Sequence, residues 1–293
     1  MLPWMLDSPL ITPAIMQLID LALEEDLGRG DVTTQALVPP GRTAVAHLVA
    51  RQRLILAGLN LAAAVFRRLD AGIVVETAMD DGDEAQPGAH VATYKGPAAA
   101  LLAGERTALN FVQRLSGIAT ETRRYVRAAQ DSALRITDTR KTTPGFRNLE
   151  KYAVRMGGGT NHRLDLGGGV LIKDNHLAVA GSVRLAIRQA KERVPHSLKV
   201  EIEVDNLAQL DEALTEGVDI VLLDNFSNED IEKALAKVRQ AHPRPLVEVS
   251  GGVTLARIPD LARMGVDLVS VGALTHSAPA VDLALYIEID LRP

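Results

Sequence analysis

The stretch 198–225, LKVEIEVDNLAQLDEALTEGVDIVLLDN, runs through a β-type segment, a helical segment and a second β-type segment. LKVEIEVDN (198–206) and VDIVLLDN (218–225) are short, rich in branched aliphatics, and both stop at Asp-Asn. Between them, residues 205–216 place apolar side chains at helical spacing. Strand, crossover helix and strand in this order make a parallel pair, buried on both faces.

The same unit recurs on either side. LRITDTRK (134–141), GVLIKDNH (169–176), LVEVSGG (246–252) and VDLVSVG (266–272) read as strands, and 179–193, 228–242 and 254–264 as amphipathic helices. One more strand near 160–166 would bring the number to about seven. That number and the Gly-rich strand ends favour an α/β barrel, with an open parallel sheet as the alternative that spacing leaves standing. Residues 1–113 have another rhythm: a helix over 14–27, a capped turn at GRGDVTT, strands within 43–57, and a helix over 60–69. Short strands over 73–94, broken by DDGDEAQPG, and a helical stretch over 97–129 with a break near Ser116-Gly117 follow. We expect a small α/β domain over 1–113 and a catalytic barrel over 114–275.

Composition narrows the function. Of 293 residues 47% are apolar, enough for a full core, but only 3% are aromatic, so aliphatics must fill it. The net charge of -5 speaks against a nucleic-acid binder. The absence of cysteine excludes disulfides, thiolate catalysis and Cys-ligated metal, and fits a cytoplasmic setting. MLPWMLDSPLITP at the N-terminus lacks the basic start of a signal peptide, and no apolar run reaches the length of a membrane span.

Polar residues mark one end of the strands. Arg140, Lys141, Lys173, Asp174, Glu203, Asp224, Ser250 and Gly272 all stand at or just past strand C-termini. In a parallel barrel those ends converge on the active-site face. A cationic set comprises Arg106, Arg140, Lys141, His162, Arg163 and Lys173; residues 140–176 hold seven Lys or Arg against three Asp or Glu. Arg grips carboxylate or phosphate through two parallel hydrogen bonds, and Lys acts as a compact charge. An acidic set comprises Glu201, Glu203, Asp205 and Asp224. Glu201 and Glu203 share one strand face, and carboxylates inside a barrel need cations or hydroxyls to offset desolvation. Glu203 and Asp224 suit sugar hydroxyls or Mg²⁺, the other reading of the acids being a buried ion pair with Lys173 or Lys199. A third set is Ser250-Gly251-Gly252 with Gly272, in the loops after the last two strands, where backbone N–H groups can cradle phosphate. His47, His90, His196 and His242 read as surface or structural. Gly157–Gly159 and Gly167–Gly169 fit no nucleotide fingerprint. The residues thus describe an α/β-barrel enzyme for phosphorylated, anionic substrates.

The run DTRKTTPGFRNLEKYAVRMGGGTNHR (138–163), followed by LIKDNH (171–176), resembles quinolinate phosphoribosyltransferases. EEDLGRGDVTT (24–34), ERTALNFVQRLSGIAT (105–120), EIEVDN (201–206), VLLDN (221–225), VEVSGG (247–252) and VGALTHS (271–277) extend the resemblance over nearly the whole chain. It implies an N-terminal α/β sandwich domain, rejoined by 276–293, and an incomplete barrel of about seven strands, the type II phosphoribosyltransferase fold. It further implies transfer of the phosphoribosyl group of phosphoribosyl pyrophosphate to quinolinate with decarboxylation, giving nicotinate mononucleotide, pyrophosphate and CO2. That is a step of de novo NAD synthesis.

By the same resemblance Arg106, Arg140, His162, Arg163 and Lys173 hold quinolinate, and Lys141 and Lys173 face the donor and its pyrophosphate. Glu203 and Asp224 take the ribose hydroxyls with Mg²⁺ nearby, no direct protein ligand to the ion being assigned. Ser250, Gly251, Gly252 and Gly272 cradle the 5′-phosphate, assisted by His276. Lys141, Lys173, Glu203 and Asp224 form the catalytic group. A homodimer or larger homo-oligomer is implied, with Arg106 reaching the neighbour's site. The family usually runs close to LGLYDMVLIKDNH after the His-Arg pair; here its first Gly is replaced by Asp165 and its Asp by Gly168. A paralogue acting on another acid, and a non-catalytic binder of the donor, are the rival readings.

Overall fold

A computed structural model describes residues 11–130 and 132–289. The N-terminal stretch read for a signal peptide therefore lies mostly outside the described residues. The described residues form two compact units, one of residues 11–123, 143–158 and 277–289, the other of 124–130, 132–142 and 159–276.

In the first unit, α1 (Pro13–Leu27) starts at Thr12, whose hydroxyl accepts from the Ile15 N–H. It buries Ile15, Ile19 and Leu23, one face at i, i+4 and i+8. Asp31 caps α2 (Val32–Leu37) by accepting from the Thr34 N–H at 2.9 Å, so the expected capped turn opens a short helix. Then come β1 (Thr43–Ala50), β2 (Leu54–Ile55), α3 (Leu59–Leu69), β3 (Val74–Thr77), β4 (Glu84–Ala85) and β5 (His90–Pro97).

The long α4 (Ala98–Ala128) is unbroken where a break was expected at Ser116-Gly117. Gly117 is there for close approach: a Cβ on it would lie 2.1 Å from the Pro279 carbonyl oxygen. Ser116 donates to the Ala57 carbonyl and accepts from its N–H, which satisfies a buried hydroxyl without disturbing the helix.

In the second unit, β6 (Arg135–Thr137) precedes an excursion of the chain that carries α5 (Arg147–Met156). There follow β7 (Val170–Ile172), α6 (Asp174–Ala180), α7 (Val183–Arg193), β8 (Val200–Val204), α8 (Leu207–Thr215), β9 (Ile220–Asp224), α9 (Asn228–Val238), β10 (Leu246–Ser250), α10 (Ile258–Met264), β11 (Leu268–Ser270) and α11 (Ala273–His276). The last strand, β12 (Leu283–Ile289), belongs to the first unit. There the antiparallel order is β12-β1-β5-β3, with Ala44 opposite Ile289 and Ala50 opposite Leu283.

The six-stranded parallel sheet runs β6-β11-β10-β9-β8-β7 and is an incomplete barrel. Val247, Val249, Val221, Leu223, Ile202 and Val204 are buried on it. Ser182, Asn206 and Ser227 cap the helices that follow the turns, each accepting from the N–H three residues on. Instead of a regular strand at 160–166, a single parallel bridge joins Thr160 to Thr137. The reason is local. Fully buried Asp138 accepts from the His162 N–H at 3.0 Å and from the Asn161 side chain at 2.5 Å, which turns the chain off the ladder. The Arg163 guanidinium then donates to the Gly169 carbonyl at 2.8 Å, so a side chain joins this segment to the start of β7.

Two boundaries differ from the expectation. The cut at 113/114 falls inside α4, and residues 143–158 belong with the first unit, not with the barrel. Buried Glu150 explains the second point. It accepts from the Arg114 guanidinium, the Thr143 hydroxyl and the Thr143 N–H at 2.9–3.1 Å, while Tyr152 donates to Asp81 at 2.6 Å. A charged carboxylate deep in a core is retained only with such partners.

Candidate active site

The C-terminal ends of the barrel strands enclose a cavity of about 610 Å³. Arg140 and Lys141 enter it from beyond β6, Lys173 from β7, Glu203 from β8, Asp224 from β9 and Ser250 from β10. His162 and Arg163 enter from the bridging segment, and Gly251 and Gly252 from the loop after β10. The structure therefore gathers Arg140, Lys141, His162, Arg163, Lys173, Glu203, Asp224, Ser250, Gly251 and Gly252 around one space.

Gly272 and His276 stand at its edge. A Cβ on Gly272 would meet the Lys141 side chain at 3.1 Å and His276 Nε2 at 3.2 Å. Asp174 opens α6 and Asp205 follows β8, but neither lines the cavity. Arg106 belongs to the first unit, where it lines another cavity of about 480 Å³ with Asn110, Arg114 and Phe146.

The cationic wall is short of anions. The buried Nε atoms of Arg140 and Arg163 have no hydrogen-bond partner. Burial, and then the neighbouring Arg140, push the Arg163 guanidinium below its ordinary range, against the pull of Glu201 and Asp165. Two half-buried guanidiniums that repel each other are stabilised by a bound anion, and a planar carboxylate matches their geometry. Lys173 caps this wall and pairs with Glu203 at 2.5 Å. Val170 and Leu171, expected to be buried, are half-exposed because β7 faces cavities.

Opposite lies a backbone cradle. Gly251 and Gly252 take φ +83° and +57°, and Asn225 has φ +55°. Glycines in such a turn let an anion approach the backbone N–H groups closely, as in anion-binding nests. No side chain fits at Gly251: a Cβ would lie 2.2 Å from Asn225 Oδ1. Asn225 also donates from its side chain to Asp224 at 2.6 Å, fixing that carboxylate beside the nest.

Beneath the cavity the barrel interior is polar. His162 accepts from the Arg163 N–H through Nδ1 at 2.7 Å, an arrangement that leaves a proton on Nε2. Nε2 faces Glu201 Oε2 at 3.3 Å and Glu248 Oε1 at 3.7 Å. Both acids are nearly sealed, with 5% and 2% of their surface exposed. Burial, and then the charge of Glu201, push the Glu248 carboxyl up to about 7, while His162, Ser270 and Lys173 pull it down. Glu248 is the main residue that the sequence reading passed over. Its one signal is a lone acid alternating with Val247 and Val249 in β10. Asn225 and the positioning Asp138 were also passed over. Asp165, the departure from the family pattern, is exposed and accepts from the Gly167 N–H, steadying its own turn.

An incomplete parallel barrel with guanidiniums, an ammonium–carboxylate pair and a glycine nest at its strand ends defines an enzyme class that handles anionic, phosphorylated substrates. Comparison with known proteins agrees. The model described as "Quinolinate phosphoribosyl transferase, N-terminal domain" matches residues 31–116, and that described as "Quinolinate phosphoribosyl transferase, C-terminal domain" matches residues 118–286. A carboxylating nicotinate-nucleotide pyrophosphorylase of Mycobacterium leprae is 44% identical over 267 residues, covering 90% of this chain and 94% of that protein. That of Homo sapiens is 40% identical over 270 residues, covering 92% and 90%. The solved structure of NadC from Streptococcus pyogenes superposes with a TM-score of 0.90 at 41% identity, over 95% of this chain and 98% of that one. The chain belongs to the quinolinate phosphoribosyl transferase family.

Proposed function

We propose that the chain transfers the phosphoribosyl group of phosphoribosyl pyrophosphate to quinolinate, with loss of one carboxylate as CO2, and so makes nicotinate mononucleotide. The observation that carries this reading is the pair of partnerless buried guanidinium nitrogens, on Arg140 and Arg163, in the same cavity as the glycine nest. One feature suits a dicarboxylate and the other a phosphate.

Arg140, Arg163 and Lys173 hold the two carboxylates, with His162 behind them fixing Arg163. The nest of Ser250, Gly251 and Gly252, edged by Gly272 and His276, takes the 5′-phosphate. Lys141 and Lys173 face the pyrophosphate. Glu203 and Asp224 accept from the ribose hydroxyls, and their negative charge stabilises the oxocarbenium-like transition state as pyrophosphate departs. Little covalent help is needed if the cavity holds acceptor and donor together in line.

Mg²⁺ fits this set. Glu203 and Asp224 are hard oxygen donors at adjacent strand ends, the one or two carboxylates that the ion takes besides substrate phosphates. Bound there, it would neutralise charge on the departing pyrophosphate. By the resemblance to the family, we further infer a homodimer or larger homo-oligomer in which Arg106, a residue of the first unit, serves the neighbour's cavity. A cysteine-free chain fits a cytoplasmic enzyme. Among the described residues, no helix is long and apolar enough to cross a membrane.

The test is direct. Purified protein with Mg²⁺, phosphoribosyl pyrophosphate and quinolinate should yield nicotinate mononucleotide by chromatography, and nicotinate in place of quinolinate should not. Donor binding without product from either acid would refute the reading.

A further inference from the structure

The proposed reaction leaves an unfilled valence. When CO2 departs from the ring carbon next to the nitrogen, the bonding pair stays on that carbon, and a proton must replace the lost group. The cavity residues that hold substrate are poor sources. Lys and Arg as classes release protons only far above neutral pH. Glu203 is engaged with Lys173 as a carboxylate, and Asp224 accepts from Asn225. His162 has its Nδ1 occupied by a backbone donor and turns Nε2–H toward Glu201. One group remains: Glu248, on the cavity floor.

We propose that Glu248 is the acid that returns this proton, a catalytic role resting on the function proposed above. Four observations on the molecule support it. Glu248 lines the substrate cavity beside Arg163 and Lys173. Its Oε1 makes no hydrogen bond, so its proton-carrying position is not committed to another group. Glu201, on the neighbouring interior, has a partnerless oxygen too, and two carboxyls crowded with one imidazole hold a proton among them. Finally, Glu248, with His162 and Arg163, also lines a second cavity of about 370 Å³.

That second cavity lies at the other end of the barrel. Arg135, Val170, Lys199, Ile220, Leu246 and Leu268, at the starts of the strands, surround it. The Glu248 carboxyl thus separates a substrate side from a water side. After giving its proton to the carbon it is left as carboxylate and regains a proton from water through the second cavity.

The charge environment agrees. The groups facing Glu248 are Glu201 from β8, His162 from the bridging segment, Ser270 from β11 and Lys173 from β7. Leu222 of β9 and Leu268 of β11 stand in register with Glu248 and carry no charge. Their balance raises the carboxyl to about 7, the range in which a general acid works best at neutral pH. A bound dicarboxylate adds negative charge nearby and favours the protonated form further.

The experiment uses the full-length enzyme under single-turnover conditions, with saturating donor and quinolinate labelled in the departing carboxylate. Quinolinate binding is measured separately by calorimetry. Glu248→Gln should keep quinolinate affinity within about threefold but slow CO2 release and nucleotide formation by about 100-fold. The wild-type rate should be full at low pH and fall as pH rises through about 7, and this limb should vanish in the variant. Glu201→Gln guards against misfolding of the first variant: it keeps the acid but removes its charged neighbour, so the limb should move to lower pH. Product formation by a folded Glu248→Gln within threefold of wild type, or an unmoved limb in Glu201→Gln, overturns the proposal. Wild-type protein inactive on quinolinate would instead overturn the function on which it rests.

Discussion

Adding one methyl group to the loop after β10 tests the phosphate cradle. In Gly251→Ala the new Cβ would lie 2.2 Å from Asn225 Oδ1 and 2.9 Å from the Asn225 nitrogen. The backbone there has φ +83°, which a side chain makes unfavourable by about 1–2 kcal/mol. The strain and the clash act together to turn the loop, and the N–H groups proposed to hold phosphate turn with it. Losing one charge-assisted hydrogen bond weakens binding by about 1.5–3 kcal/mol, or roughly 10- to 150-fold. Gly252→Ala is an internal control, because φ is +57° and nothing lies within 4 Å of its Cβ. Titration calorimetry of phosphoribosyl pyrophosphate with Mg²⁺ should show the large loss for Gly251→Ala and a several-fold smaller one for Gly252→Ala. Quinolinate binding should hold in both. Equal losses in the two variants, or donor affinity of Gly251→Ala within twofold of wild type, would refute the cradle.

Arg140→Ala should raise the quinolinate KM steeply or abolish turnover, since truncating one partner of a buried charge pair weakens binding by about 2–5 kcal/mol; unchanged kinetics would remove Arg140 from the site. Mixing Arg106→Ala with Lys173→Ala protein should restore part of the activity if each cavity is completed by a neighbour, and verified mixed dimers without recovery would argue against sharing. Stability should carry the signature of Glu248. Its folded carboxyl is raised, so it takes stability away as pH climbs from the unfolded value through about 7. Glu248→Gln should therefore stabilise the fold more at pH 8 than at pH 5, as read from denaturant midpoints at the two pH values. A pH-independent difference would mean that this carboxyl is not buried in charged form.

Much of this could be seen in the sequence because strand ends announce themselves. Arg140, Lys173, Glu203, Asp224 and Ser250 each interrupt or terminate an aliphatic run, and parallel topology alone brings such positions together. What escaped was set by contacts distant in sequence. Gly117 looks like a helix breaker until the Pro279 carbonyl is found where its Cβ would be. The 160–166 run has no periodicity of its own to reveal that Asp138 pulls it off the ladder. Residues 143–158 follow a barrel strand in sequence, yet Glu150 and Tyr152 find their partners at Arg114 and Asp81. Glu248 reads as an ordinary alternating residue; only the positions of Glu201 and His162 make it chemically distinct.

The pairing of β1 with β12 has a consequence for how the molecule is made. Residues 43–50 must wait for residues 283–289 before their sheet gains its outer strand. During synthesis every strand of the barrel has been made before that strand exists. Local strand–helix–strand units can therefore fold as they emerge, whereas the first-formed sheet is the last to be completed. Its nascent edge, β1, is exposed for that interval and is the place where faulty association between growing chains would begin.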